Sequence, residues 1–184
     1  HSPGTSYSGT GLAIEFPRQY NAAFDFVSRN LESGRAEKCA YIDDHAEYSF
    51  RDLDERSACV ASLLPEMGLR MEQRVFVCMD DTFELPCVFL GAIRAGIVPV
   101  LVNTMLTATD YAWMLTDSRA PVAIVSASLA VLFEPLLETI PTFKKLIVSG
   151  DRETDLDVLI NLLSGVSPAP TIAPTLADDV CFWL

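Results

Sequence analysis

From about residue 50 onward, short apolar runs alternate with stripes of helical period, and that alternation narrows the fold more than any other feature. A continuous apolar run bounded by turn residues is a strand covered on both faces. Arg74 to Met79 (RVFVCM), Ile97 to Val102, Pro121 to Ser126 and Lys145 to Val148 read this way. Pro99, which has no N–H to give to a ladder, predicts an edge strand or a bulge. Helices fall between the strands. Ser49 with Asp52 and Thr107 with Asp110 have the spacing of a capping box. The first of these opens a helix with Leu53, Ser57, Val60, Ala61 and Leu64 on one face, ended by Gly68. The second places Ala108, Tyr111, Ala112 and Leu115 together. Asp81 with Glu84 predicts a helix start; residues 83–95 are apolar nearly all round, so that helix is buried, and Gly96 ends it. Leu129, Leu132, Phe133, Leu136 and Leu137 form a further stripe, started or kinked by Pro135. Thr154 with Asp157 is expected to cap a last helix reaching about Leu163. The fold class is therefore α/β: a mostly parallel sheet with helices on both faces and right-handed crossovers. Met and aromatic residues on these helices read as core, not as a cofactor box.

The flanks read differently. Residues 1–15 hold Gly4, Gly9 and Gly11 with several Ser and Thr, and are expected to form a flexible arm. Gly9-Thr10-Gly11 precedes no clear helix, so it is a poor phosphate-binding motif. A helix is expected over about 20–33, with Ala23, Phe26, Val27, Asn30 and Leu31 on one face and Gly34 as its stop. Lys38 to Ile42 and Glu47 to Phe50 then read as an N-terminal β-hairpin around Asp43-Asp44-His45. Residues 16–163 make up the α/β subdomain. Residues 164–177 hold three prolines and no stripe, which predicts an extended linker. Residues 178–184 read as a turn and then a buried strand, Cys-Phe-Trp-Leu. The loop that leaves such a strand is the usual place for ligand chemistry in an α/β protein. The chain is therefore expected to be the front part of a larger protein. His1 in place of Met agrees with the loss of earlier residues.

Bulk properties remove several function classes. The 184 residues are half hydrophobic, which excludes a disordered chain. The formal net charge is −12, and only Lys38, Lys144 and Lys145 are lysines, so no nucleic-acid or anionic-membrane partner is expected. No apolar run reaches the roughly 18 residues needed to cross a bilayer. Five cysteines in apolar stretches, without a C-x-x-C pair, read as buried free thiols in a reducing cytoplasm. With only His1 and His45 as nitrogen donors, no metal site is expected. His45 reads as a turn residue. Asp80-Asp81 could suggest metal or acid–base work, but helix capping explains the pair more cheaply. The chain holds no G-x-S-x-G elbow, Walker loop or H-E-x-x-H.

One segment adds more. Leu90 to Asn103 (LGAIRAGIVPVLVN) looks like the "lgairaGavpvplN" signature of the adenylate-forming acyl-CoA synthetase superfamily. Four further segments fall in matching order along the chain. Tyr48 to Leu53 resembles that family's "yTyaeL" helix start, and Arg74 to Val77 its "drVai" strand. Tyr111 to Ser118 resembles its "yilndS" helix. Asp179 to Leu184 resembles the strand just before its phosphate loop, Y-[ST]-S-G-[ST]-T-G-x-P-K-G. The resemblance covers about residues 16–184. Within it, Phe16 to Ala23 is similar to the "P..yNaA" opening of the benzoate–CoA ligase branch; Met79 to Pro86 also looks like that branch, where many relatives have Asn-Ser at the acidic pair. Cys181 and Trp183 depart from the smaller or aliphatic residues common in that last strand, which bears on substrate assignment.

The resemblance implies a two-step reaction. ATP and a carboxylate give an acyl-adenylate and diphosphate, and the thiol of coenzyme A then displaces AMP. Benzoate or a hydroxybenzoate is the implied substrate; ATP, Mg²⁺ and coenzyme A are the implied cofactors. The phosphates call for Mg²⁺, backbone amides and a cation. The family's phosphate loop, ribose-binding Asp and catalytic Lys match no position up to 184, so no catalytic residue is assigned, and Lys144 and Lys145 are not nominated. Asn103 is the candidate to watch, either as a contact near the coenzyme A channel or as a turn residue satisfying nearby backbone. The implied partners are an aromatic carboxylate, the remainder of the chain and a second copy in a homodimer. Two other readings stay open: an aryl-acid adenylation module loading a carrier protein, and a stand-alone α/β binding or interaction domain.

Overall fold

The computed structural model describes residues 16–150, 155–169 and 172–184. The expected arm at 1–15, with its Gly9-Thr10-Gly11, lies outside the described residues, as does Thr154. A π-helical stretch Phe24–Ser28 runs into α1 (Arg29–Glu32), and the hairpin β1 (Cys39–Ile42) and β2 (Glu47–Ser49) follows. Then come α2 (Phe50–Glu66), β3 (Arg74–Cys78), α3 (Glu84–Arg94), β4 (Val98–Leu101), α4 (Ala108–Ser118) and β5 (Val122–Ser126). A 3₁₀ turn Ala127–Leu129 leads into α5 (Ala130–Phe133) and α6 (Leu136–Thr139), separated at Glu134-Pro135, where proline breaks the ladder. The described chain closes with β6 (Lys145–Ser149), β7 (Asp157–Val158) and α7 (Leu159–Ser164).

The sheet is parallel throughout, in the order β4-β3-β5-β6-β7. Alternate residues of each strand face opposite layers, as the pleat requires. Val75 and Val77 pack with Val60, Leu64, Val88 and Leu159 from α2, α3 and α7. Phe76 and Cys78 pack with Tyr111, Leu115, Ala130 and Phe133 from α4 and α5. The sheet is thus covered on both faces, which is why its strands read as unbroken apolar runs. Both capping boxes form: Ser49 and Asp52 satisfy each other's backbone N–H at the start of α2, and Thr107 and Asp110 do so at α4. Gly68 (φ 90°) and Gly96 (φ 70°) take the left-handed conformation that ends their helices. Pro99 lies on the edge strand, as its missing donor demands.

Several expectations are corrected. The first helix carries a π stretch, which adds residues to a turn and rotates the face, so Ala23 and Val27 are buried while Phe26 is 63% exposed. Asp81 does not cap α3. That N-terminus is served from the hairpin, where Asp43 Oδ2 accepts from the Phe83 N–H at 3.0 Å. Asp157 caps no helix either: it pairs with Ile147 in β7, and α7 starts two residues later with no side-chain cap. Cys39 is exposed, because the short hairpin has one face in water; Cys78 and Cys87 are buried, and all five thiols are free. The buried strand expected at the end is reduced to one parallel bridge, Val100 to Trp183, with Val180, Phe182 and Leu184 exposed. Its neighbour is the edge strand β4, and among the described residues no further strand lies outside it.

Candidate functional site

In an open parallel sheet, ligands bind beyond the carboxyl ends of the strands, where the strand order reverses. Here the chain leaves β3 for β4 on one side and then crosses to β5 on the other, so the reversal lies between β3 and β5. The Asp80 N–H donates to Ser126 Oγ across that point at 2.7 Å. A crevice of about 590 Å³ opens there, lined by Asp80, Glu84, Ser126, Ser149, Tyr48 and His45 among others. Its polar groups are carboxylates, hydroxyls and one imidazole. Among the described residues lining it, none is Arg or Lys, so it does not complement a triphosphate.

The acidic pair at the end of β3 is occupied otherwise. Asp81 accepts a hydrogen bond from the Tyr41 hydroxyl, and burial, followed by that bond, pushes the Tyr41 pKa up to about 12. Asp81 thus ties the end of β3 to the hairpin, while Asp80 meets β5 through its N–H. Among the described residues, no three His, Cys, Asp or Glu side chains are grouped to hold a metal ion. His45 is exposed at the hairpin turn, where its N–H donates to Asp43 Oδ1. Burial raises the Asp43 pKa, but the N–H donors of His45, Ala46 and Phe83 outweigh it and hold the carboxyl below its usual range. Lys145 is ion-paired with Asp157 at 3.4 Å. Cys78 is pushed up to about 11 and Cys87 is also raised, both by burial, so neither is an activated thiolate.

Asn103 follows β4 at the carboxyl edge. Its Oδ1 accepts from the Met105 N–H at 2.8 Å, the geometry of an Asx turn. Its carbonyl accepts from the buried Tyr111 hydroxyl at 3.0 Å, which fastens the turn to α4. The expectation of a turn residue satisfying backbone matches this arrangement.

The terminal segment lies beside that turn. The Trp183 N–H donates to the Pro99 carbonyl, and the Leu101 N–H donates to the Trp183 carbonyl, each at 3.0 Å. Proline at 99 costs nothing on this side, since the outward position needs only its carbonyl. Phe182 meets the Phe89 ring edge-on at 5.4 Å, and the Arg74 guanidinium lies 5.7 Å from the Trp183 ring centroid. Because the bridge is parallel, Leu184 heads toward the carboxyl edge, next to the exit of β4 at Asn103.

The approach to this segment is tied down by residues that local sequence patterns do not flag. Gln19 and Leu176 form an antiparallel bridge; the Tyr20 N–H donates to the Thr175 carbonyl at 2.9 Å, and Thr175 Oγ1 donates to the Tyr20 carbonyl at 2.6 Å. Buried Asn21 donates from Nδ2 to the Ile93 carbonyl at 2.9 Å and to the Ala173 carbonyl at 3.4 Å. The described part of the expected linker is thus a strap over the middle of α2 and the end of α3: the Ala169 N–H donates to the Ala58 carbonyl, and the Ala173 N–H to the Arg94 carbonyl. The only sequence sign of this was the Asn within the branch-like "yNaA" opening.

Comparison with known proteins agrees with the order of the motifs. Residues 28–184 match the family model described as AMP-binding enzyme. Benzoate–CoA ligase from Thauera aromatica is 45% identical over 97% of this chain and 34% of its own length. A 4-hydroxybenzoate–CoA/benzoate–CoA ligase from Rhodopseudomonas palustris is 40% identical over 90% of this chain and 31% of its own. The crystal structure of a benzoate CoA ligase from Burkholderia xenovorans superposes with a TM-score of 0.81 at 38% identity, covering 90% of this chain and 32% of that one. An anthranilate CoA ligase bound to anthranoyl-AMP superposes at 0.86 with 27% identity, covering 91% of this chain and 32% of that one. The chain spans about a third of the length of these relatives. With the five motifs in order on a matching sheet, the chain belongs to the AMP-binding enzyme family.

Proposed function

We propose that this chain is the scaffold part of an ATP-dependent aromatic carboxylate–CoA ligase. The whole protein converts benzoate or a hydroxybenzoate, ATP and coenzyme A to the aryl-CoA, AMP and diphosphate, through an aryl-adenylate. The observation that carries this reading is the 45% identity to a benzoate–CoA ligase across nearly the whole chain. The parallel seating of Trp183 on β4 supports it, because it delivers the following residues to the carboxyl edge, where a phosphate-binding loop belongs.

The division of labour follows from what the described residues do and do not assemble. The crevice offers carboxylates where phosphate needs cations, and Asn103 spends its side-chain oxygen on a turn. These residues do not fit ATP, Mg²⁺ or coenzyme A, and no catalytic step is routed through them. In this reading the binding of those groups falls to the remainder of the polypeptide. On the same reading, residues 16–163 form the subdomain, residues 164–177 the strap, and residues 178–184 the segment, bridged to β4 at Trp183, that aims the phosphate loop. A cytoplasmic enzyme without nucleic-acid or membrane partners, with a homodimer as its assembly, completes the reading. No described helix is long and apolar enough to cross a membrane.

The test is acid-dependent ATP–diphosphate exchange by the longest natural polypeptide that carries this chain, run with benzoate, 4-hydroxybenzoate, anthranilate and a fatty acid. Exchange with the aryl acids and none with the fatty acid is the expected result. Preference for the fatty acid would overturn the substrate class. Exchange by residues 1–184 alone would overturn the assignment of the chemistry to other residues.

A further inference from the structure

We propose that Asn21 and Thr175 are positioning residues, forming a clamp that sets where the chain beyond Leu184 meets the carboxyl edge of the sheet. The proposal rests on the ligase reading for its catalytic consequence, and on geometry alone for its structural part.

The segment from 178 to 184 has little to hold it in register. It makes one bridge to β4, an edge-on ring contact of Phe182 with Phe89 and a half-buried Cys181 side chain, and its large apolar side chains stay partly in water. One bridge with two hydrogen bonds cannot by itself exclude a slip along the edge, because register is specified by burial of one face. The register must come from upstream. Five residues before the bridged tail begins at Val180, Thr175 closes a reciprocal pair with Tyr20: backbone N–H to carbonyl one way, hydroxyl to carbonyl the other. Asn21 then joins three elements at once. Its Nδ2 reaches the end of α3 through the Ile93 carbonyl and the strap through the Ala173 carbonyl, and its Oδ1 accepts from the Ala23 N–H. A buried amide with every contact made to backbone fixes position, whereas an apolar contact tolerates sliding. The chain then turns at Asp179, whose Oδ2 accepts from the Leu176 N–H at 2.7 Å, and enters the β4 edge. So α3, the N-terminal segment and the strap jointly define the start of the tail, and the tail defines the exit point beside Asn103.

Two measurements test this. Amide exchange at Trp183 and Leu101, read by mass spectrometry on the longest natural polypeptide, should become about tenfold faster in Thr175→Val, the scale of one lost hydrogen bond. Thr175→Ser, which keeps the hydroxyl, should restore protection. Asn21→Ala should act in the same direction; if it does not fold, the threonine pair still decides. Unchanged protection at Trp183 in Thr175→Val overturns the clamp. In the exchange assay, Thr175→Val should raise the KM for ATP by about five- to tenfold while the KM for the aryl acid stays within about twofold, because only phosphate positioning is disturbed. A smaller folded fraction lowers the rate and moves neither KM, so a fall in kcat with an unchanged ATP KM also overturns the proposal. If the unaltered polypeptide shows no acid-dependent exchange, the ligase reading fails and the amide measurement alone decides the clamp.

Discussion

The sheet layers between Arg74 and Ser149 and the belt formed by residues 16–21 with 172–184 are two different kinds of structure. The sheet is held by burial: Phe76, Ile124, Ile147 and Phe133 are essentially inaccessible, with helices on either side. The belt is held by backbone hydrogen bonds and a few polar side chains, and it leaves Val180, Phe182 and Leu184 largely in water. Burial is non-directional and tolerates substitution of shape at a graded cost. Hydrogen bonds from fixed backbone are directional and set position. The sheet and the belt of this molecule are therefore held by different forces.

Substitutions should break that comparison in graded order. The largest effect belongs to the core: Phe133→Ala, which removes a ring packed between Phe76 and Tyr111, should cost about 3–5 kcal/mol in denaturant unfolding. Next is the α2–α3 contact. A Cβ at Gly91 would sit 2.5 Å from Val60 Cβ and 2.7 Å from the Ser57 carbonyl oxygen, so Gly91→Ala should cost about 1–3 kcal/mol by overpacking and lower the thermal midpoint. A cost near zero for Gly91→Ala would mean that the two helices can spread freely.

Helix caps come third. Thr107→Ala should cost about 1 kcal/mol. The capping carboxylates also add a pH dependence. The Asp52 and Asp110 pKa values are lowered, first by the Ser49 and Thr107 hydroxyls and then by the backbone N–H groups they accept from. A carboxyl whose folded pKa is depressed stabilises fully above its unfolded pKa of about 4, and loses that contribution as pH falls through the lower folded value. The unfolding free energy should hold steady from neutrality down to that point and then drop. Asp52→Asn should shrink the drop, which an acid titration of the denaturant midpoint would show.

The belt predicts the smallest change in stability. Phe182→Ala should cost less than about 1 kcal/mol, since the ring is 42% exposed. A cost comparable to that of Phe133→Ala would erase the distinction between core and belt. Thiol labelling sharpens the same contrast without mutation. At neutral pH, Cys39 should react first with a maleimide, and Cys78 and Cys87 only on unfolding, because they are buried with raised pKa values. Peptide mass mapping of a time course reads the order directly.

Much of this was legible in the residues. Ser49 with Asp52 and Thr107 with Asp110 act over three positions, so a local pattern suffices to find them, and both boxes form. The strands were legible because a parallel sheet buried on both faces demands continuous apolar runs, and Pro99 marked the edge because it lacks a donor. The partners that the residues did not announce share one cause. Asp43 caps a helix 40 residues away, Thr175 pairs with Tyr20 across 155, and Asn21 reaches Ala173 across 152. Such partners are set by where the elements pack, and no spacing in the chain encodes them. The terminal Cys-Phe-Trp-Leu read as central because hydrophobicity reports what a segment can bury; the tertiary structure decided what it does bury, and placed it on the outer side of an edge strand.

For this protein the sequence alone determined the α/β class, the strands β3 to β6 with the helices between them, the capping boxes at Ser49 and Thr107, and the family, because each rests on periodicity or short-range pattern. The tertiary structure alone decided that Asp81 ties the end of β3 to the hairpin through Tyr41, and that the N-terminal segment bonds to residues 173–177. Those outcomes depend on contacts between distant elements, which exist only after the apolar faces have brought them together.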